Sequence, residues 1–140
     1  MDYENITSYQ INVTATDRGD PALSGSTLIS ITVVDENDNN PIFSESTYRA
    51  SLSENAANGS IFEVLVATDA DSTSNGELVY SLLEGNEIFE VDNRSGMVSV
   101  RNTSFLDYET RQSFSFLVEV RDMGMPPRAA QALVSKHFFL

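Results

Sequence analysis

Oxygen donors gather at a few places along this chain. Residues 35–40 read Asp35, Glu36, Asn37, Asp38, Asn39 and Asn40, a run of acids and amides between an apolar segment and Pro41. Asp69 and Asp71 close a second apolar segment and lead into a Ser/Thr/Asn/Gly stretch. Asp122 closes a third, and Asp2/Glu4 and Asp107/Glu109 form two matching pairs. Crowded carboxylates repel one another, and a hard divalent cation reverses that cost. Ca²⁺ takes about 6–8 oxygens and mixes carboxylates with amide and backbone carbonyls, the donor set these segments offer. Asp and Asn also favour turns, but their recurrence at the ends of apolar runs points to ligation. Carboxylates at strand ends are not expected in the core.

Other chemistries fail on the residues. An EF-hand loop counted from Asp35 places Asn40 and Ser46 at the obligatory Gly and Glu positions, and one counted from Asp69 places Ser74 and Tyr80 there. The only histidine, His137, has no acid motif nearby, so a Ser-His-Asp arrangement lacks support and a surface position is expected. Paired acids could serve glycoside hydrolysis, but acids at strand ends come with no groove. No enzyme and no small-molecule substrate are therefore expected. Cysteine is absent, which excludes disulfides, thiolate metal sites and thiol catalysis. The 21 acidic against 8 basic residues leave a net charge of −13, which argues against nucleic acid and anionic membrane surfaces. Hydrophobic residues at 41% exclude a disordered acidic tail. No apolar run approaches the ~20 residues of a spanning helix, and no leader sequence is visible at the N-terminus.

The elements that must position these acids read as strands. Residues 8–16, 27–34, 60–68, 78–83, 88–91, 97–101, 113–121 and the tail from 131 are short runs rich in Val, Ile, Tyr, Phe and Thr. Most alternate with period two, as in Ile29/Ile31/Val33 or Phe114/Phe116/Val118/Val120. Gly- and Pro-bearing turns separate them, and no segment holds a helical period for three turns. An all-β sandwich is expected. The chain also repeats itself: Asp2, Tyr3 and Glu4 recur 105 positions on as Asp107, Tyr108 and Glu109. Asp17, Gly19 and Pro21 recur at the same offset as Asp122, Gly124 and Pro126. The spacing is about one sandwich domain. Residues 1–40 thus read as the last two strands of one unit with its linker, and 41–140 as most of the next. The fragment would belong to a longer protein. Two strands cannot close a sandwich, so residues 1–34 are expected to form a weakly paired hairpin. Lys136 falls where the first copy has an inward Ile31, which makes the last strand divergent.

The motifs Leu106-Asp107-Tyr108-Glu109, Ala67-Thr68-Asp69-Ala70-Asp71, Ser53-Glu54-Asn55, Val120-Arg121-Asp122 and the linker from Asp35 to Asn39 followed by Pro41-Ile42-Phe43 resemble cadherin extracellular repeats, closest to protocadherin, Fat or Dachsous-like members. The resemblance implies a Greek-key, seven-stranded, Ig-like sandwich and three Ca²⁺ ions at each junction between repeats. By that resemblance Asp2, Glu4, Asp35 and Asp38 supply carboxylates, and Glu36 and Asn39 backbone carbonyls. Asn37 would contribute its side chain, and Asp69, Asp71 and Asp122 with the Asn75 carbonyl would come from the second repeat. One ion, held by Asn37, Asn39, Asp69, Asp71, Asn75 and Asp122, would have its full ligand set. Asp17, Glu54, Asp107 and Glu109 would serve neighbouring, incomplete junctions. The implied role is calcium-stiffened adhesion through homophilic or heterophilic contacts with cadherin-type ectodomains and with adjacent repeats. The implied place is extracellular, in a single-pass plasma-membrane parent.

Two further motifs have other readings. Arg18-Gly19-Asp20 is an integrin-type tripeptide but also a tight turn, and an extracellular ligand-binding module for integrin or glycan is the alternative function. Sequons occur at Asn5, Asn12, Asn58, Asn93 and Asn102. Asn58 and Asn93, in Gly-containing turns, are the expected glycosylation sites if the chain is secreted.

Overall fold

The computed structural model describes residues 2–53, 55–106 and 113–139, with backbone alone for 137–139. Two compact units divide it, residues 1–36 and 37–140.

Unit 1 is a hairpin. β1 (Ser8–Thr16) and β2 (Ser24–Thr32) pair antiparallel over nine residue pairs, from Ser8↔Thr32 to Thr16↔Ser24. The period-two pattern puts Tyr9, Ile11, Val13, Ile29 and Ile31 on one face of this ribbon. Within this single layer Ile11, Val13 and Ile29 remain exposed. The second strand begins three residues before the sequence reading placed it, because Ser24, Gly25 and Ser26 pair with residues 14–16 despite carrying no apolar signal.

Unit 2 is the sandwich. Its elements are β3 (Ile42–Phe43), β4 (Thr47–Ser53), β5 (Ile61–Val64), β6 (Ala67–Thr68), β7 (Leu78–Leu82), β8 (Phe89–Val91), β9 (Met97–Val100), β10 (Ser113–Asp122) and β11 (Ala129–Phe139). One sheet runs β4-β11-β10-β7, with β4 parallel to β11 and the other pairs antiparallel. The other layer holds β5-β9-β8 and the short pair β3-β6. Counting β3 with β4 and β5 with β6, each an interrupted single strand, gives seven strands in Greek-key order. The run at 60–68 is thus two strands rather than one. The break at Leu65 and Val66 lets β6 turn to β3 while β5 stays on β9. Apart from two single-turn 3-10 segments, Thr73–Asn75 and Thr103–Phe105, no helix occurs among the described residues.

The core follows from alternation on both layers. Phe114, Phe116, Val118 and Val120 point inward from β10, Val98 and Val100 from β9, and Val134 from β11. Phe89 is the centre: its ring stacks on Phe116 at 4.9 Å and meets Phe114 and Phe62 edgewise at 5.6 and 5.2 Å. Burying each such ring contributes about 1.5–3 kcal/mol. Two tyrosines bring their hydroxyls to the backbone at the break in β5/β6, where the Val66 carbonyl also accepts the Ser44 N–H at 2.8 Å. Tyr48 Oη donates to the Val66 carbonyl at 2.9 Å, and Tyr80 Oη accepts the Ala67 N–H at 3.0 Å.

The last strand departs from the sequence reading in one respect. β11 is an unbroken element of the sheet, paired on both sides, and Lys136 takes its inward position opposite Phe114 and Ala50. The residue is fully buried, and burial pushes its ammonium pKa down to about 7.

Candidate metal centre

The inward register of β10 carries one position past Val120 to Asp122, which is only 2% exposed. Asp71 is likewise buried, at 7%. The expectation that strand-end carboxylates stay out of the core is therefore corrected for both. What makes their burial tolerable is hydrogen bonding. Asp122 Oδ1 accepts the backbone N–H groups of Gly124 and Arg128, both at 3.0 Å, and the Asn37 amide at 3.2 Å. Asp71 Oδ2 accepts the Asn39 N–H at 3.1 Å, Asp71 Oδ1 accepts the Asn39 side-chain amide, and the Asp71 N–H donates to Asp69 Oδ1 at 3.0 Å.

These bonds draw together, at one end of unit 2, the linker residues Asn37 and Asn39, the strand-end pair Asp69/Asp71 and the strand-end Asp122. Asn75 joins them across Gly124: a Cβ added there would stand 2.3 Å from Asn37 Nδ2 and 2.8 Å from Asn75 Oδ1. Glycine at 124 is thus required by close approach, not by its backbone angle. Gly76 plays a similar part, since its absent Cβ would lie 2.1 Å from the Asp71 carbonyl oxygen.

Three side-chain oxygens in this group, Asn37 Oδ1, Asp69 Oδ2 and Asp122 Oδ2, are buried with no hydrogen-bond partner among the described residues. Each such oxygen carries a desolvation cost of about 1–3 kcal/mol. Two of them belong to carboxylates. A hard cation is the partner whose chemistry suits this set, because amide and carboxylate oxygens are its preferred donors. The residues present fit calcium.

Unit 1 carries its own acids. Glu4 and Asp35 each offer a carboxylate oxygen within 4.8 Å of the other. Asp2 Oδ1 accepts the Glu4 N–H at 3.1 Å, and its other oxygen accepts the Asn5 amide. Glu36 is exposed. In unit 2, Asp38 is also exposed, and its Oδ1 accepts the neighbouring Asn39 amide at 2.8 Å. Asp17 stands at the end of β1 as Asp122 does at the end of β10. Its Oδ1 accepts the N–H groups of Leu23 and Gly19, both at 2.9 Å, and these hold its carboxyl below the usual range, Leu23 foremost. The two turns share this bonding pattern, and each contains a cis X-Pro bond, at Pro21 and Pro126. The Arg18-Gly19-Asp20 tripeptide lies inside the first of them, so its glycine serves the same Asp-cradled turn as Gly124. Glu54, Asp107 and Glu109 lie outside the described residues, as does the side chain of His137.

Sequence reasoning missed Arg128. Its Nε donates to the Asn37 carbonyl at 2.8 Å and its Nη1 to Asn40 Oδ1 at 3.0 Å. The first copy has Leu23 at this place, so the repeat itself held the signal: a cation substituted for an apolar residue beside an acidic turn.

Among the expected glycosylation sites, Asn58 and Asn93 are exposed. Asn58 Oδ1 accepts the Thr103 N–H at 3.0 Å. Asn102, half-buried, caps the 3-10 turn by accepting the Ser104 N–H.

Known proteins share this fold. The family model described as "Cadherin domain" matches residues 48–136. Protocadherin alpha-11 of Pan troglodytes is 40% identical over 138 residues, covering 96% of this chain and 14% of the relative. Protein dachsous of Drosophila melanogaster is 39% identical over 137 residues, covering 98% of this chain and 4% of the relative. This chain therefore spans only a small part of the curated relatives it matches. Among solved structures, mouse clustered PcdhgC3 EC1-3 superposes with a TM-score of 0.93 at 34% identity, over 100% of this chain and 46% of that one. Mouse Cadherin-23 EC22-24 does so with a TM-score of 0.92 at 29% identity, over 99% and 44%. The sandwich, its repeat marks and these matches agree: the chain belongs to the cadherin family.

Proposed function

We propose that this chain is part of a calcium-dependent cell-adhesion ectodomain, in which Ca²⁺ between successive repeats stiffens the array for homophilic or heterophilic contact. The observation that carries the reading is the set of buried, unpartnered oxygens on Asn37, Asp69 and Asp122, which three separate segments contribute. In the ion-free chain these residues hold one another through Asn37–Asp122 and Asn39–Asp71 hydrogen bonds. When bound, calcium supplies the positive charge that satisfies their remaining oxygens and offsets carboxylate repulsion. Asn37, Asn39, Asp69, Asp71, Asn75 and Asp122 would hold one ion. Asp2, Glu4, Asp35, Glu36 and Asp38 would supply the neighbouring ions. Asp17, Glu54, Asp107 and Glu109 belong to other junctions on this reading.

Cadherin-type ectodomains, as copies or as different members, are the partners that follow. The family is one of adhesion proteins, not enzymes. An extracellular position in a plasma-membrane parent follows too, with Asn58 and Asn93 as glycan acceptors. Among the described residues no helix is long and apolar enough to cross a membrane.

Titration calorimetry on the full chain tests the metal assignment. Uptake is expected with a dissociation constant in or above the range of about 10⁻⁴–10⁻³ M typical of extracellular modules. Asp71→Ala should abolish uptake at the complete site, whereas Glu54→Ala should retain it. Absence of uptake at millimolar calcium would overturn the reading.

A further inference from the structure

The turn after β10 repeats the turn after β1, bond for bond, in its backbone. The N–H of Arg128 donates to Asp122 Oδ1 as the N–H of Leu23 donates to Asp17 Oδ1. Only the side chains differ, and that difference reaches the linker. The Arg128 guanidinium grips it at two points, the Asn37 carbonyl and Asn40 Oδ1. Asn37 is held again by its amide, which donates to the Pro126 carbonyl at 2.7 Å and to Asp122. Asn39 is held by Asp71 through both its backbone and its side chain. None of these contacts involves an ion. The division into compact units agrees, since it falls between Glu36 and Asn37 rather than at Pro41.

We propose that Arg128 is a positioning residue that latches linker residues 37–40 onto unit 2 in the absence of calcium, assembling that part of the ion site in advance. Its donors end on neutral oxygens, a carbonyl and an amide. Asp69 Oδ2 and Asp122 Oδ2 therefore stay open for a cation. A lysine would keep the charge but not the fork, because one nitrogen cannot reproduce the planar pair of donors. Assembly of the ion site in advance rests on the calcium reading, whereas the latch itself does not.

Amide exchange on the full chain in chelator separates the two. The Asn39 N–H, bonded to Asp71, should exchange at least about tenfold more slowly in the unmodified chain than in Arg128→Leu. That variant carries the residue found at the matching place in unit 1, and undiminished protection of Val118 and Val120 would show that it folds. Arg128→Lys should resemble Arg128→Leu. Rapid Asn39 exchange in the unmodified chain, equal protection in Arg128→Leu, or full rescue by lysine would each overturn the latch. Calorimetry on the same variants then reads pre-assembly. Calcium should bind Arg128→Leu roughly 3–10-fold more weakly, as its binding-competent fraction falls. Unchanged or tighter binding would refute pre-assembly. Lack of calcium uptake by the unmodified chain, with Asn39 protected, would overturn the calcium reading and leave the latch standing.

Discussion

Gly124 and Gly19 occupy the same place in two copies of one turn, and alanine should affect them differently. In Gly124→Ala the new methyl would lie 2.3 Å from Asn37 Nδ2 and 2.5 Å from its Cγ, far inside contact distance. Asn37 must move, and its amide then gives up its bonds to Asp122 and Pro126. Two hydrogen bonds at about 1 kcal/mol each, plus overpacking strain of about 1–3 kcal/mol, oppose the change. Reduced freedom of the unfolded chain returns about 0.4–1 kcal/mol. A net loss of about 2–5 kcal/mol is expected, lowering the melting temperature of unit 2 by roughly 8–40 °C. In Gly19→Ala the nearest atoms are Asp17 Oδ1 at 3.2 Å and the Pro21 carbonyl oxygen at 3.3 Å, which need give way by only a few tenths of an ångström in this exposed turn. That variant should stay within about 0.5 kcal/mol of the parent. Thermal and urea unfolding of both variants, in chelator, provide the comparison. If Gly124→Ala melts within about 2 °C of the parent, the close approach to Asn37 does not hold the linker in place.

Other outcomes follow from the core. Burial holds the Lys136 ammonium at about 7, against an ordinary 10.5. Below the lower value both folded and unfolded chains keep the proton, and the burial cost is fully present. Between the two values the unfolded chain binds more protons, so stability should rise with pH, by about 1–3 kcal/mol between pH 7 and 10. Lys136→Met should be more stable at neutral pH and flat across this window, as urea titrations at stepped pH would show; a parent chain without that slope would contradict it. Phe89→Ala removes the ring that Phe62, Phe114 and Phe116 surround. It should cost about 3–5 kcal/mol in equilibrium unfolding, and a cost below 1 kcal/mol would mean that the core closes over the gap.

Strand positions were legible in most runs where one face alternated, because period two is a local property of the chain; β4, where Tyr48, Ala50 and Leu52 alternate, went unread. β1, β7, β9 and β10 lie within a residue or two of where alternation put them. β2 began earlier than read, since Ser24 and Gly25 pair through backbone bonds that no side-chain pattern advertises. The break between β5 and β6 was hidden for a similar reason: Leu65 and Val66 continue the apolar run while the chain changes its partner strand.

For the candidate metal centre, residue identity and placement separate cleanly. Composition alone pointed to a cation with oxygen ligands as the partner for this acidic, cysteine-free chain, and the 105-residue repeat determined which acids correspond. Those are properties of residue type and spacing. Burial of Asp71 and Asp122, the orphaned oxygens beside them, and the Arg128 grip on residues 37–40 were decided only by tertiary structure. They depend on bringing Asn37 next to residues 85 to 91 positions away. No local pattern encodes contacts at that separation; the closure of the sandwich creates them.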